Sequence, residues 1–131
     1  MQEKGGVTLY SSEWSIMECL WERSPLTIVG VWHAVKGKTG WSKSTVNTLL
    51  GRMLKKGLIR YEDGRKAKEY YPCVRRDEVA IAETESLLHR AYKGSVSLMM
   101  SAITQKRELS REEIDELYAI LRRAEEASNN G

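Results

Sequence analysis

A mainly α fold carrying one small β-hairpin is what this sequence predicts, and three observations predict it. Amphipathic helical patterns recur along the chain, most of them with a capping residue or a breaker at an end. Two short β-prone runs, GLIRYE and KEYYP, flank the turn-like DGRK. The charge is also divided. Residues 36–76 hold twelve Lys/Arg against three acids, a balance of +9, while the remaining residues hold nine against fifteen, a balance of −6. Three helices and then a hairpin, all ending in a basic segment, describe a winged helix-turn-helix. The expected organisation is a winged helix-turn-helix domain over residues 8–76 and a helical dimerisation domain over residues 77–127.

The first helix is expected to start with Ser11 or Ser12 as N-cap and Glu13 in its first turn, followed by Trp14, Met17, Leu20 and Trp21 at helical spacing. Pro25 cannot continue it, and Thr27 can cap the next helix. That second helix places Ile28, Val31 and Val35 on one side and is expected to end in a KGKTG loop, with Gly30 an oddity in its first turn. Ser42 caps the third helix and Gly57 stops it. Asp63-Gly64 then signals a tight hairpin, because that pair tolerates positive φ. Trp14, Trp21, Trp32 and Trp41 read as core, as do at least two of Tyr61, Tyr70 and Tyr71.

From Asp77 the chain returns to helix, with Val79, Ala82, Leu87, Leu88 and Ala91 broadly on one side until Gly94 interrupts. SVSLMMSAI is expected to make only a short apolar turn or two. ELSREEIDELYAILRR carries full helix-start signals: Ser110 and Glu113 form a capping box, and Leu109 can staple onto Ile114. The terminal SNNG is expected to fray. The apolar stripe through Ile114, Leu117 and Leu121 must bury itself against a second copy or back on its own domain, since a lone helix of this length is marginal.

Composition excludes much else. At 41% hydrophobic and 30% charged, the 131 residues suit a folded domain, and no apolar run is long enough to span a membrane. The N-terminus lacks a secretory apolar core, so a cytoplasmic location without membrane insertion is the default expectation. Cys19 and Cys73 lie 54 positions apart and read as small buried or half-buried residues; with His33 and His89 isolated, neither a metal nor a cofactor is expected. No HExxH, phosphate loop or Ser/His/Asp constellation argues for an enzyme.

The segment WSKSTVNTLLGRMLKKG carries the chemistry. At ~100° per residue, Val46, Leu49, Leu50, Met53 and Leu54 share one arc. Ser44, Thr45, Thr48, Arg52, Lys55 and Lys56 share the opposite arc, with Asn47 at its border and no acid anywhere. Hydroxyls and an amide near the N-terminal end suit base edges, arginine offers a fork to guanine or phosphate, and the C-terminal lysines suit the sugar-phosphate rail. Ser42, Lys43, Ser44, Thr45, Asn47, Thr48, Arg52, Lys55 and Lys56, with Arg65, Lys66 and Lys68 of the hairpin, are therefore the candidate DNA-binding residues.

SSEWSIMECLW, PLT, GWSKSTVNTLLGRMLKKGLI, GRKAKEYYP, YKG and LSREEIDELYAIL, in that order, resemble the penicillinase and methicillin-resistance repressors (BlaI/MecI/CopY type) over about residues 8–123. The resemblance implies a homodimeric repressor of double-stranded operator DNA with an inverted repeat, cut in its dimerisation region on a signal from a membrane-bound sensor metalloprotease that responds to a β-lactam. It implies DNA reading by Ser42, Thr45, Asn47, Thr48, Arg52 and Lys55, with wing support from Arg65 and Lys68. The apolar positions offered for the dimer seam are Leu87, Leu88, Leu98, Ile103, Ile114, Leu117 and Leu121.

Three departures qualify the resemblance. Ala102-Ile103 stands where methicillin-type members have an Asn-Phe scissile bond, so the protease preference differs or the control does. Asn47 replaces a common arginine, so the preferred operator is expected to differ. No cysteine cluster follows Cys73, which argues against copper sensing. The alternative reading is a winged-helix regulator released by a small ligand or metal.

Overall fold

The computed structural model describes residues 8–130. Six helices and one hairpin follow in the order α1 (Ser11–Glu22), α2 (Ile28–Thr39), α3 (Lys43–Lys55), β1 (Ile59–Asp63), β2 (Lys68–Pro72), α4 (Arg76–Tyr92), α5 (Val96–Lys106) and α6 (Arg111–Asn130). The chain forms two compact units, the first running to Leu87 and the second starting at Leu88. The first unit thus extends past residue 76, because Val79 and Ala82 of α4 are buried and the Leu9 amide donates to Glu83 Oε1 at 2.8 Å.

In the first unit, α1, α2 and α3 close on Ile16, Met17, Leu20, Val31, Val46, Leu50 and Met53, all at or near zero exposure. The helix ends follow local chemistry, with two differences from expectation. The N-cap of α1 is Tyr10 rather than a serine, because the Glu13 carboxylate reaches back to accept the Tyr10 amide at 2.9 Å. The KGKT run belongs to α2, which stops only at Gly40, a left-handed cap whose amide donates to Lys36 O. Thr27 and Ser42 cap as expected, accepting the amides of Gly30 and Thr45. All four tryptophans pack against the core, and the indoles of Trp21 and Trp32 donate to the carbonyls of Val74 and Trp41.

The hairpin pairs Ile59 with Pro72 through Asp63 with Lys68 in antiparallel register. Its connection is a four-residue loop, not the tight two-residue turn that Asp-Gly suggests. Gly64 is needed for closeness: a Cβ there would lie 2.7 Å from Ala67 O. The hairpin is also joined by a third, one-residue partner. Leu26 and Tyr70 exchange both backbone hydrogen bonds, at 3.2 and 2.8 Å. Gly30 makes room for this contact, since a Cβ there would sit 3.3 Å from Leu26 Cδ2.

One charge lies inside this core. Glu13 is fully buried, and its Oε1 takes the ammonium of Lys56 at 2.7 Å as well as the Tyr10 amide, while Oε2 has no protein partner. Lys56 also lies over the Tyr10 ring, 4.7 Å from its centroid. Removing one partner of a buried pair strands the other charge, although the one-third exposure of the Lys56 side chain lessens the effect. Lys56→Ala is expected to destabilise the chain by about 2 kcal/mol, read as a lower urea midpoint. A midpoint within error of wild type would show that the pair contributes nothing.

The second unit is built differently. Lys93 and Gly94 take positive φ (52° and 84°) to end α4, and Ser95 caps α5 by accepting the Leu98 amide. SVSLMMSAI is therefore part of an eleven-residue helix, longer than expected, because Ser95 supplies a start that apolar content alone does not announce. Ser110 and Glu113 form their capping box, and α6 continues through Asn130, so the Ser128–Asn130 part of the tail is helical. No residue of α5 or α6 is buried. Val96, Leu98, Tyr118, Ile120 and Leu121 are each more than half exposed or nearly so.

The cysteines differ from each other. Cys73 is exposed, contrary to expectation, because it lies just past the last paired residue of β2. Cys19 is half-buried in α1, and desolvation pushes its thiol up to about 11, opposed in part by its backbone hydrogen bond. At about pH 8 a thiol of that pKa is roughly one-thousandth thiolate, the reactive form. Iodoacetamide is therefore expected to modify Cys73 first, and Cys19 only at strongly alkaline pH or on unfolding, as read by peptide mass spectrometry. Equal rates at both sites would contradict the burial of Cys19.

Candidate nucleic-acid interface

Helix α3 carries its polar, acid-free arc outward. Ser42, Lys43, Ser44, Thr45, Asn47, Thr48, Arg52 and Lys55 are exposed, while Val46, Leu49, Leu50 and Met53 are buried. Ser42 Oγ lies 3.1 Å from Thr45 Oγ1, and the Thr48 hydroxyl donates to Ser44 O at 3.2 Å. These short side chains are held near the helix, leaving Arg52 and Lys55 to project in its last turns. Gly51 stands among them with open space where a Cβ would be, a notch in the middle of the face. Lys56 does not join it, since its ammonium is held by Glu13 of α1.

Each face of the hairpin carries charge of both signs. Alternation puts Tyr61, Asp63 and Lys68 on the side that also carries buried Ile59 and Tyr70, with Asp63 directly opposite Lys68. Lys68 Nζ sits 4.3 Å from the Tyr61 ring centroid. The other side carries Arg60, Glu62, Glu69 and Tyr71. There Arg60 lies 3.6 Å from Glu62 and over the Tyr71 ring, and the Glu62 carboxylate raises the Tyr71 hydroxyl above its ordinary pKa. Arg60 is thus occupied, whereas Arg65 and Lys66 stand exposed in the tip loop.

Helix and hairpin meet in one open cleft of about 590 Å³. Lys43, Ser44 and Asn47 of α3 line it with Lys68 and Ala67 of the hairpin, and Ile28 and Val29 of α2 complete it. The structure therefore brings the N-terminal half of α3 and the wing together as the sequence suggests. The α2 residues that line the cleft carry no such signal in the sequence, where Ile28 reads as part of the apolar side of its helix. Among the described residues, no group of three His, Cys, Asp or Glu is placed to hold a metal ion, and no helix is long and apolar enough to cross a membrane.

The sequence model of the penicillinase repressor family matches residues 9–123. The chain belongs to that family. Its members are DNA-binding transcriptional repressors rather than enzymes. The methicillin resistance regulatory protein MecI of Staphylococcus aureus is 28% identical over 111 residues, covering 85% of this chain and 90% of that protein. The penicillinase repressor of Bacillus licheniformis is 29% identical over 110 residues, covering 84% and 86%. The solution structure of the DNA-binding domain of the repressor BlaI superposes with a TM-score of 0.50 at 22% identity, over 60% of this chain and 93% of that domain. That likeness concerns the fold, and it agrees with the winged helix-turn-helix built above.

Proposed function

We propose that this repressor acts as a homodimer, with two copies of α3 set into successive major grooves of an inverted-repeat operator and the wings on the flanking backbone or minor groove. The observation that carries the reading is the cleft in which the acid-free half of α3 and the basic wing converge. Ser42, Thr45, Asn47, Thr48 and Arg52 read or position against the bases. Lys43, Lys55, Arg65, Lys66 and Lys68 neutralise phosphate. A twofold pair places the reading helices roughly 34 Å apart.

The second copy is recruited by the apolar surface that the second unit leaves open. Leu98, Ile103 and Leu121 are exposed, and Ile114 and Leu117 are only half-buried. Ala102 and Ile103 lie within α5, where the Arg107 amide donates to Ile103 O at 3.2 Å. Scission there would need α5 to unwind locally and would sever α6, with its apolar stripe, from the rest of the chain. A sensor protease acting at this bond would therefore relieve repression by dissolving the dimer. The relatives' names, a penicillinase repressor and a methicillin resistance regulator, support an antibiotic-linked signal.

Repeated selection from a random duplex pool of about 30 base pairs, long enough for two half-sites, should enrich an inverted repeat. Arg52→Ala is expected to weaken binding to the selected duplex by about 1–3 kcal/mol with its thermal midpoint unchanged. A pool that never enriches would reject the operator reading. In sedimentation, Leu117→Lys with Leu121→Lys is expected to convert a dimer into a folded monomer. A wild-type chain already monomeric at micromolar concentration would reject the dimer.

A further inference from the structure

We infer that Gly51 is a specificity-determining position of α3: its missing side chain sets how deeply the acid-free arc seats against base edges. The inference rests on the DNA-binding reading above and gives the middle of the arc a role distinct from that of the charges around it. It starts from a cost. A glycine inside a helix is less stable than an alanine, because its backbone has more freedom to lose on folding. Gly51 stands well inside α3, with a turn or more of helix on either side.

Nothing within the chain accounts for that cost. Among the described residues, Gly30 and Gly64 face close neighbours, and Gly40, Gly57 and Gly94 take positive φ. Gly51 has neither reason: a Cβ there would meet nothing within 4 Å. Gly37 is equally open, but it lies in the last turn of α2, where the helix is already ending.

The place of Gly51 on α3 supplies a reason. At ~100° per residue it falls within about 40° of Ser44, Asn47 and Lys55 and about 60° of Thr48. All four are exposed, so Gly51 lies near the centre of the outward arc, away from buried Val46, Leu49, Leu50 and Met53. A helix with its side chains is about 10–12 Å across and the major groove is about 12 Å wide, so the fit has little slack. A methyl group at the centre of the facing arc would hold the backbone off by about 1.5 Å, one carbon–carbon bond. Hydrogen bonds tolerate only about 0.5 Å of spread in length. Ser44 and Thr48 are short, and the Thr48 hydroxyl is drawn back to Ser44 O, so neither can follow such a retreat. The long side chains of Arg52 and Lys55 can. A shallower seat therefore removes base reading and leaves phosphate contact in place.

The test measures fluorescence anisotropy of the full chain on two labelled duplexes, the selected one and the unselected pool, together with thermal melts. Gly51→Ala is expected to raise the thermal midpoint by about 2–5 °C, since alanine favours the helix. It is also expected to weaken the selected duplex about tenfold or more, the scale of a lost base contact, while the pool stays within about threefold. The slope of log K against log salt should not change, because no phosphate contact is lost. Gly37→Ala is the control: it stabilises a helix in the same way and is expected to leave both affinities unchanged.

If Gly51→Ala binds the selected duplex within twofold of wild type while Arg52→Ala still weakens it, the role of Gly51 is wrong and the operator reading stands. Equal losses on both duplexes would put Gly51 against the backbone and overturn the inference. A lowered midpoint for Gly51→Ala, or an equal loss of binding in Gly37→Ala, would also overturn it, since the glycine would then serve the fold. If the wild-type chain does not prefer the selected duplex to the pool, the operator reading fails and the role of Gly51 falls with it.

Discussion

The interface depends on a pair of backbone hydrogen bonds between Leu26 and Tyr70. A two-stranded hairpin is marginal by itself and needs a further strand or a packed face to hold it. Here it receives both. Leu26, in the turn between α1 and α2, pairs with β2, and the Tyr70 side chain enters the core. Because α2 starts one residue after Thr27 and is capped by it, the bridge ties the root of the wing to the start of α2. The cleft that brings Lys43, Asn47 and Lys68 together follows from that tie.

Most acids near the basic face lie outside the lining of the cleft, although Asp63 stands across the hairpin from Lys68 on the same side. Glu13 of α1 is buried and engages Lys56. Glu62 and Glu69 occupy the side of the hairpin opposite Lys68. Glu18 pairs with Arg76 at 2.8 Å. The modest net charge of +3 therefore understates the local field, because the summed charge of a chain says nothing of its arrangement.

The second unit works by the opposite logic. Its helices have good caps and well-formed apolar stripes, yet none of their residues is buried. Capping and propensity can set where a helix begins, but most helical stability in proteins comes from packing an apolar face. A unit with this much uncovered apolar surface is suited to association.

Local features can be read from the amino acids alone: the caps at Thr27, Ser42 and Ser110, the breaks at Gly57 and Gly94, the buried arc of α3 and its acid-free opposite arc. Each is set by neighbours within about one helical turn, so spacing alone reveals it. The family resemblance was legible for the same reason, since its motifs are contiguous runs. Contacts between distant parts of the chain emerge only in the folded molecule. The Leu26–Tyr70 bridge, the removal of Lys56 from the basic face by Glu13, the start of α1 at Tyr10 through that same carboxylate, and the entry of Val29 into the cleft all join residues through contacts that leave no periodic trace. A single bridge or a single buried charge has no pattern to read, and its consequence appears only once the chain has closed around it.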